Sequence, residues 1–267
     1  MIWLTDIHLN FLEKEDRLSF YQEIIDAAGD AVCITGDIAE APSVLDLLEE
    51  MATAVNKPIY FVLGNHDYYD SDVAAVRDEI KTATNNNPLL HWLPVSGPHD
   101  LGKGTMLLGE DCWADGRNGN YANSPVVLND SRMIRDLYEG RICGKFPLLD
   151  AMQKLADGDA EHLKNSVCEA IKKYQPHKIV ILTHVPPFRE TCMHEGEMSN
   201  DDYLPFFSSK VLGDTLLELA RQNTSIQFLV FSGHTHSDAY FQPLDNLTVR
   251  VGSAEYLHPA IQEVIVL

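Results

Sequence analysis

The sequence predicts an α/β fold, and two observations carry that prediction. Short apolar runs alternate with stretches of helical periodicity, which is the pattern of strand–helix–strand units with buried strands. The chain has 267 residues, of which 45% are hydrophobic and 22% are charged, as in soluble domains with one sizeable core. We therefore predict a single domain over residues 1–267.

The predicted elements follow one another in a regular order along most of the chain. Apolar runs predict strands at residues 1–5, 31–35, 58–63, 178–183 and 226–232. Amphipathic stretches predict helices at about residues 13–28, 43–55, 71–82, 148–174 and 210–222. Gly158 predicts a break in the fourth of these helices, because glycine destabilises a helix interior.

Two regions depart from this alternation. Residues from about 110 to 146 contain several Gly and Asn and little periodicity, so we predict an irregular insertion over one face of the domain. Residues 239–242, 247–251 and 263–267 are predicted as short strands that are separated by turns, with no helix between them.

Charge and composition limit the partners and the location. A net charge of −20 repels a phosphate backbone, so we expect no extended nucleic-acid partner. No apolar run approaches the roughly 18 residues of a membrane helix, and Asp6 and His8 interrupt the early apolar run, so neither a membrane partner nor a signal peptide is expected. The five cysteines are scattered without CxxC spacing, which predicts no disulfide framework and agrees with a cytoplasmic location.

Polar residues follow each of the five strands of the first set. They are Asp6 and His8, then Asp37, then Asn65, His66 and Asp67, then His184, and finally His234 and His236. Ligands of open α/β sheets gather outside the carboxyl ends of the strands. We therefore expect these side chains to converge on one site.

The residue types and spacings at these strand ends indicate metal binding. Side chains two residues apart in extended chain point the same way, so Asp6 and His8 can reach one ion. His234 and His236 can do likewise, or can divide between two neighbouring ions. Glycines at positions 36, 64 and 233 allow the backbone to approach closely. Imidazole, carboxylate and amide donors suit Mn²⁺, Fe, Zn²⁺, Co²⁺ or Ni²⁺ better than Ca²⁺.

Taken in order, these motifs resemble those of the calcineurin-like metallophosphoesterase superfamily. The resemblance rests on Asp6-Ile7-His8, Gly36-Asp37, Gly64-Asn65-His66-Asp67, His184 and Gly233-His234-Thr235-His236. It implies a four-layer αββα sandwich, in which two mixed β-sheets are flanked by helices. It also implies two metal ions: one held by Asp6, His8, Asp37 and His236, and a second held by Asp37, Asn65, His184 and His234.

The same resemblance implies hydrolysis of a small phosphate ester by a dinuclear centre. Two cations about 3.5–4 Å apart can clamp a phosphoryl group and activate a bridging water as hydroxide. His66 belongs to neither metal set and would protonate the leaving group. Asp67 would orient the His66 imidazole, or would instead cap a helix or face solvent.

Departures from related motifs narrow the substrate. Ile38-Ala39-Glu40 stands where phosphoprotein phosphatases continue with Asp-Arg-Gly, and purple acid phosphatases have a tyrosine at the position of Glu40. The acidic surface disfavours a nuclease. Small phosphomonoesters, cyclic nucleotides, other small phosphodiesters and pyrophosphates are left. The alternative to an enzyme is a non-catalytic interaction scaffold of the same fold, although this sequence has the motif residue at every metal-ligand position. Arg189, Trp113, His194 and His258 are left outside the predicted site.

Overall fold

The structure is a computed structural model that describes residues 1–194 and 196–266. Its strands are β1 Ile2–Leu4, β2 Val32–Thr35, β3 Ile59–Val62, β4 Leu90–Trp92, β5 His99–Asp100, β6 Thr105–Gly109, β7 Lys178–Leu182, β8 Met193–His194, β9 Glu197–Met198, β10 Gln227–Ser232, β11 Ala239–Leu244, β12 Leu247–Val251 and β13 Glu263–Val264. Its helices are α1 Lys14–Asp26, α2 Ala41–Val55, α3 Val73–Asn86, α4 Leu93–Ser96, α5 Asp130–Met133, α6 Arg135–Cys143, α7 Lys145–Tyr174, α8 Leu204–Phe207 and α9 Lys210–Gln222. Short 3₁₀ turns occur at Leu9–Phe11, His66–Tyr68 and Arg189–Thr191.

Two large mixed sheets contain most of the strands. The first has the order β13-β1-β2-β3-β4, in which β1 to β4 are parallel and β13 is antiparallel to β1. The second has the order β11-β12-β10-β7-β6-β5, with a parallel centre and an antiparallel strand at each edge. A separate hairpin pairs β8 with β9.

The alternation of side chains along the strands produces the layers. On β1, Ile2 and Leu4 pack into the cluster that contains α1, α2 and α3. Trp3, between them, points to the opposite face and packs against Phe231 of the second sheet, with ring centroids 4.7 Å apart. The outer face of the second sheet packs on α7 and α9. The predicted fold of two mixed sheets flanked by helices is therefore confirmed.

The strand and helix predictions agree with the structure to within a few residues at most ends. The exceptions have local causes. Gly158 does not break α7, which runs without interruption from Lys145 to Tyr174. A single glycine in a helix interior costs only about 1 kcal/mol of stability relative to alanine, which a helix of this length tolerates. Of the predicted strand at 263–267, Glu263–Val264 pairs with β1, while Leu267 lies outside the described residues.

Two findings concern the middle of the chain. β6 was missed by the sequence prediction although it is wholly buried and pairs with β7. The region predicted as irregular, residues 110–146, lacks regular structure only as far as Asn129, after which α5 and α6 follow. Within the described residues, no helix is both long and apolar enough to cross a membrane.

We expect Phe231→Ala to lower the free energy of unfolding by about 3–5 kcal/mol, because it leaves a cavity between the two sheets. Phe231 is fully buried. Urea denaturation followed by circular dichroism measures the loss. Tyr240→Ala, at a side chain that is 64% exposed, is the control and should change stability by less than about 0.5 kcal/mol. Equal effects of the two substitutions would contradict this account of the core.

Candidate functional site

The carboxyl ends of β1, β2, β3, β7 and β10 meet where the two sheets face each other. The polar residues that follow these strands come together there. They are Asp6, His8, Asp37, Asn65, His66, His184, His234 and His236. The sequence-based expectation of convergence follows from parallel pairing, because parallel strands end at the same edge of a sheet.

One group of side chains encloses a first small space. Ligand atoms of Asp6, His8, Asp37 and His236 all lie within 4.8 Å of one another. The Nε2 atoms of His8 and His236 are 3.4 Å apart, and Nε2 of His236 is 3.4 Å from Oδ1 of Asp6. Bonds of about 2.0–2.2 Å from one cation to nitrogen and oxygen would span these separations.

A second group lies beside the first and shares Asp37 with it. Oδ1 of Asn65 is 2.9 Å from Nε2 of His184 and 2.9 Å from Nδ1 of His234. Nε2 of His184 is also 3.3 Å from Oδ1 of Asp37. These are the four residues that the family resemblance assigns to a second metal.

Hydrogen bonds on the far side of these groups fix which atoms face inward. The Nδ1 proton of His184 is donated to Thr35 O at 2.8 Å, and the Nε2 proton of His234 to Phe206 O at 2.9 Å. The Asn65 amide NH₂ donates to Asp130 Oδ1 at 2.9 Å. In their neutral forms both imidazoles therefore aim a lone pair at the Asn65 oxygen. Three acceptors that face one another repel unless a cation lies between them, so the donor set fits a divalent metal.

The backbone at the site is unusual. Asp6, His8, Asp37, His234 and His236 all have positive φ, between 40° and 73°. This left-handed conformation costs roughly 1–2 kcal/mol for an ordinary residue and is best tolerated by Asn, Asp and His. Strain of this kind is found where a structure is held for function.

Two glycines make the close approach of the loops possible. A Cβ added at Gly64 would lie 2.2 Å from Oδ1 of Asp37, and one added at Gly233 would lie 2.1 Å from Oδ2 of Asp6. No side chain fits at these distances. The sequence-based expectation for these positions agrees with the structure, since the absence of a side chain brings backbone against both carboxylates.

Buried charges shift the acidity of the site. Burial alone would raise the pKa of Asp37, but the neighbouring charges of His184, His66 and His8 hold it below its usual range. Burial lowers the pKa of His8 from 6.5 to about 4. A neutral His8 and an ionised Asp37 are the protonation states in which both side chains can bind a metal.

His66 lies at the edge of the two groups. Its Nε2 is 3.9 Å from Oδ2 of Asp37, its ring stacks on Tyr69 with centroids 4.3 Å apart, and its side chain is 16% exposed. Its backbone N–H donates to Oδ1 of Asp37 at 2.9 Å. The ring thus stands beside the shared carboxylate and open to a substrate.

Asp67 does not act as the sequence suggested. Its carboxylate accepts hydrogen bonds from the backbone N–H groups of Ile38, Ala39 and Gly64, at 2.7 to 2.9 Å. Its side chain is fully buried, so it does not face solvent, and no bond to the His66 ring accompanies these three. Asp67 therefore ties the loop after β2 to the loop after β3.

A second acidic cluster was missed by the sequence reasoning. Glu110 and Asp111, which follow β6, are buried together with Asp159 of α7. Oδ1 of Asp111 accepts from Leu63 N at 2.8 Å, while its backbone oxygen accepts from His184 N at 3.0 Å. Arg77 lies within ion-pair distance of Asp111 and Asp159. Asp111 thus braces two of the metal-facing loops, and the signal for it was an apolar run ending in Gly-Glu-Asp.

A cavity of about 300 Å³ opens above these groups, and its wall includes residues that the motifs do not contain. The Tyr256 ring lies 4.6 Å from that of His8 and 5.0 Å from that of His236, and His194 also lines the cavity. By contrast, Arg189 pairs with Asp201 and His258 is exposed away from the cavity. Tyr256 was missed because it follows no strand and belongs to no pattern.

A sequence model of the calcineurin-like phosphoesterase family matches residues 2–238, and the chain belongs to that family, whose members are phosphoesterase hydrolases. No protein of curated function matches the sequence.

Solved structures share the fold. One is the phosphopantetheinyl hydrolase from Mycobacterium tuberculosis, with a TM-score of 0.66 and 13% identity, over 96% of this chain and 89% of that one. Another is a dimetal phosphatase from Danio rerio, with a TM-score of 0.58 and 10% identity, over 94% of this chain and 86% of that one. At such identities the likeness concerns the fold alone.

We expect the burial of His8 to destabilise the metal-free protein increasingly as the pH falls from 6.5 to about 4. In the unfolded chain His8 takes up a proton near pH 6.5, whereas in the folded chain it does so only near pH 4. Between these two pH values protonation of His8 therefore favours the unfolded state. One such group contributes at most about 1.4 kcal/mol per pH unit. The pKa values of Asp6 and Asp37 are lowered from 3.8, so these carboxyls titrate below the window.

Thermal unfolding in a chelating buffer measures this dependence. His8→Gln should remove this contribution and should therefore lose less stability across the window than the native protein. The raised pKa of the buried Glu110 carboxyl acts in the opposite direction in both proteins. His258→Gln, at an exposed histidine, is the matched control and should leave the slope as it is. An unchanged slope in His8→Gln would show that His8 is not held neutral by burial.

Proposed function

We propose that this protein hydrolyses a small phosphate ester, a phosphomonoester or a phosphodiester, with the help of two divalent cations. The observation that carries the proposal is the group of inward-facing acceptors around Oδ1 of Asn65, which lies 2.9 Å from a ring nitrogen of both His184 and His234. Such a group is stable around positive charge, and the family to which the chain belongs cleaves phosphate esters.

The proposed ligands form two sets that share Asp37. Asp6, His8, Asp37 and His236 would hold one cation, and Asp37, Asn65, His184 and His234 the other. The chemistry that such a pair supplies is stabilisation of charge on the phosphoryl oxygens and a lowered pKa of water. Manganese, iron, zinc, cobalt and nickel are all compatible with these nitrogen and oxygen donors.

His66 is the proposed general acid. It is assigned to neither cation, lines the open cavity, and faces the shared carboxylate at 3.9 Å. A protonated imidazole there would give its proton to the departing alkoxide, which removes the cost of expelling a charged leaving group. Asp67 is proposed as a positioning residue, because it holds the two loops that carry Asp37 and His66.

A small substrate agrees with the surface of the protein. A net charge of −20 opposes binding of extended nucleic acid. Ile38-Ala39-Glu40 stands after Asp37 where phosphoprotein phosphatases have Asp-Arg-Gly, which disfavours a phosphoprotein substrate. A carboxylate-rich protein also gains from bound cations, which neutralise part of that charge.

The decisive test measures metal and activity together. We expect purified protein to bind close to two equivalents of metal by elemental analysis and, when loaded with Mn²⁺, to hydrolyse an aryl phosphate or an aryl phosphodiester. The panel should add nucleotides, cyclic nucleotides and a phosphopantetheinyl ester, the group named for the M. tuberculosis neighbour. Metal-replete protein that cleaves none of these would favour the interaction scaffold and overturn the proposal.

His66→Ala distinguishes the acid from the ligands. We expect it to keep both metals and to lose about 10²–10⁴-fold in turnover, as when a general acid is removed. His236→Ala should instead lose metal. His99→Ala, at a partly buried histidine on the edge strand β5, is the control and should change neither quantity. Metal loss in His66→Ala would mean that His66 is a ligand and not the acid.

A further inference from the structure

A second cavity lies against the metal site and has a different character. Its volume is about 250 Å³, far above the roughly 10–15 Å³ that one water needs. Its walls include the buried apolar side chains of Trp113, Tyr121, Leu137, Met152 and Phe206. We call this space the apolar chamber. An apolar cavity of this size has few partners for water and is suited to an apolar ligand.

The segment 113–152 builds most of the chamber. Apart from Asn65, Val185, Phe206 and His234, every lining residue comes from that segment. Residues 113–146 of this segment belong to the region that interrupts the alternation of strands and helices, and the remainder is the start of α7. The insertion therefore forms a container beside the site, and the sequence-based expectation of a binding loop acquires a specific form.

The chamber adjoins the open cavity over the metal-facing residues. Asn65, Leu128, Asp130 and His234 line both spaces. Two of these, Asn65 and His234, belong to the second proposed metal set. A phosphoryl group held by that set would thus stand one side chain away from the chamber, and whatever is esterified to it could extend inward past Leu128 and Asp130.

Trp113, one of the residues that line the chamber, has a hydrogen-bond donor that finds no partner among the described residues. The indole Nε1 of Trp113 is buried and has no hydrogen-bond partner in the part of the chain that the structure describes. A buried donor without an acceptor is costly, about 1–3 kcal/mol, and invites an acceptor from a ligand. Arg141 and Lys145 add two positive groups to the lining, against the single carboxylate of Asp130.

We propose that the apolar chamber binds the alcohol portion of the substrate, and that this portion is an apolar group carrying one hydrogen-bond acceptor for Trp113. The proposal rests on the proposed phosphoesterase function for the position of the phosphate. If the chamber holds the alcohol portion, the substrates are esters with a hydrocarbon-rich leaving group. Esters of small polar alcohols are disfavoured, because their leaving groups would make no contacts with the chamber walls.

Calorimetry with a homologous series tests this assignment. Ethyl, butyl, hexyl and octyl phosphate are titrated into the metal-loaded His66→Ala protein, in which the lowered turnover keeps hydrolysis from obscuring binding. Affinity should rise about fourfold for each added methylene, the equivalent of about 0.8 kcal/mol, until the chamber is full. The matching alkanols, which carry no phosphate, should show the same trend at weaker affinity. A flat series for both would overturn the proposal.

Two valines provide matched variants. Val127 lines the chamber and is 50% exposed, whereas Val95 is 43% exposed and lies on α4, outside the chamber lining. Val127→Trp should weaken the binding of octyl phosphate by more than about tenfold, which corresponds to the loss of burial of two methylenes. The affinity for ethyl phosphate should change little. Val95→Trp should change both by less than about twofold. Equal loss for both chain lengths in Val127→Trp would contradict a role in holding the chain.

Trp113→Phe tests the hydrogen bond. It keeps the aromatic wall and removes the N–H donor. Esters whose chain carries a carbonyl oxygen should bind more weakly to this variant than to the native protein, while plain alkyl phosphates bind alike. If the carbonyl makes no difference in either protein, the acceptor part of the proposal is wrong.

The alkanols separate the two proposals. If no phosphate ester is hydrolysed but alkanol affinity still rises with chain length and falls in Val127→Trp, the chamber is a ligand site and the phosphoesterase function fails. If aryl phosphates are hydrolysed while the alkyl series and Val127→Trp have no effect, the function stands and the chamber assignment is overturned.

Discussion

The burial of two carboxylates at the seam between the sheets is the constraint on which the site depends. Asp6 and Asp37 are both almost inaccessible to solvent. A buried carboxylate is stable only when hydrogen bonds and positive charge compensate for its lost hydration. Asp6 accepts two contacts from the His234 backbone N–H, and Asp37 accepts one from His66. The loops that carry the histidines are therefore held by the same carboxylates that the histidines surround.

This arrangement explains why the strands end as they do. The loops after β2, β3 and β10 turn so that a backbone N–H reaches a carboxylate of a neighbouring loop, and the positive φ values of Asp37 and His234 belong to two of these turns. Gly64 and Gly233 let the chain pass within contact distance. The strained backbone at these positive-φ residues persists because the packed sheets and the hydrogen bonds around it hold the loops in this conformation. The site is pre-formed by its framework, as metal binding requires.

The framework extends beyond the motifs. Asp67 and Asp111 touch no proposed reacting group, yet each accepts backbone hydrogen bonds from loops that carry ligands. The Arg77 guanidinium lies within ion-pair distance of Asp111 and Asp159 and offsets their negative charge. The insertion contributes Leu128, Asn129 and Asp130 to the wall of the cavity over the site and lines most of the apolar chamber. On the proposed function, the family fold supplies the chemistry and the insertion supplies the surface on which substrates are distinguished.

The sequence by itself determined the strands that carry the polar residues at their ends, the five long helices α1, α2, α3, α7 and α9, and that set of polar residues. Those features depend on periodicity and on parallel pairing, which are local and regular. Only the tertiary structure decided that Gly158 lies inside one long helix, that Asp67 bonds to backbone, and that Asp111, Tyr256 and the chamber adjoin the site. These depend on contacts between residues far apart in the chain, for which no spacing in the sequence is a guide.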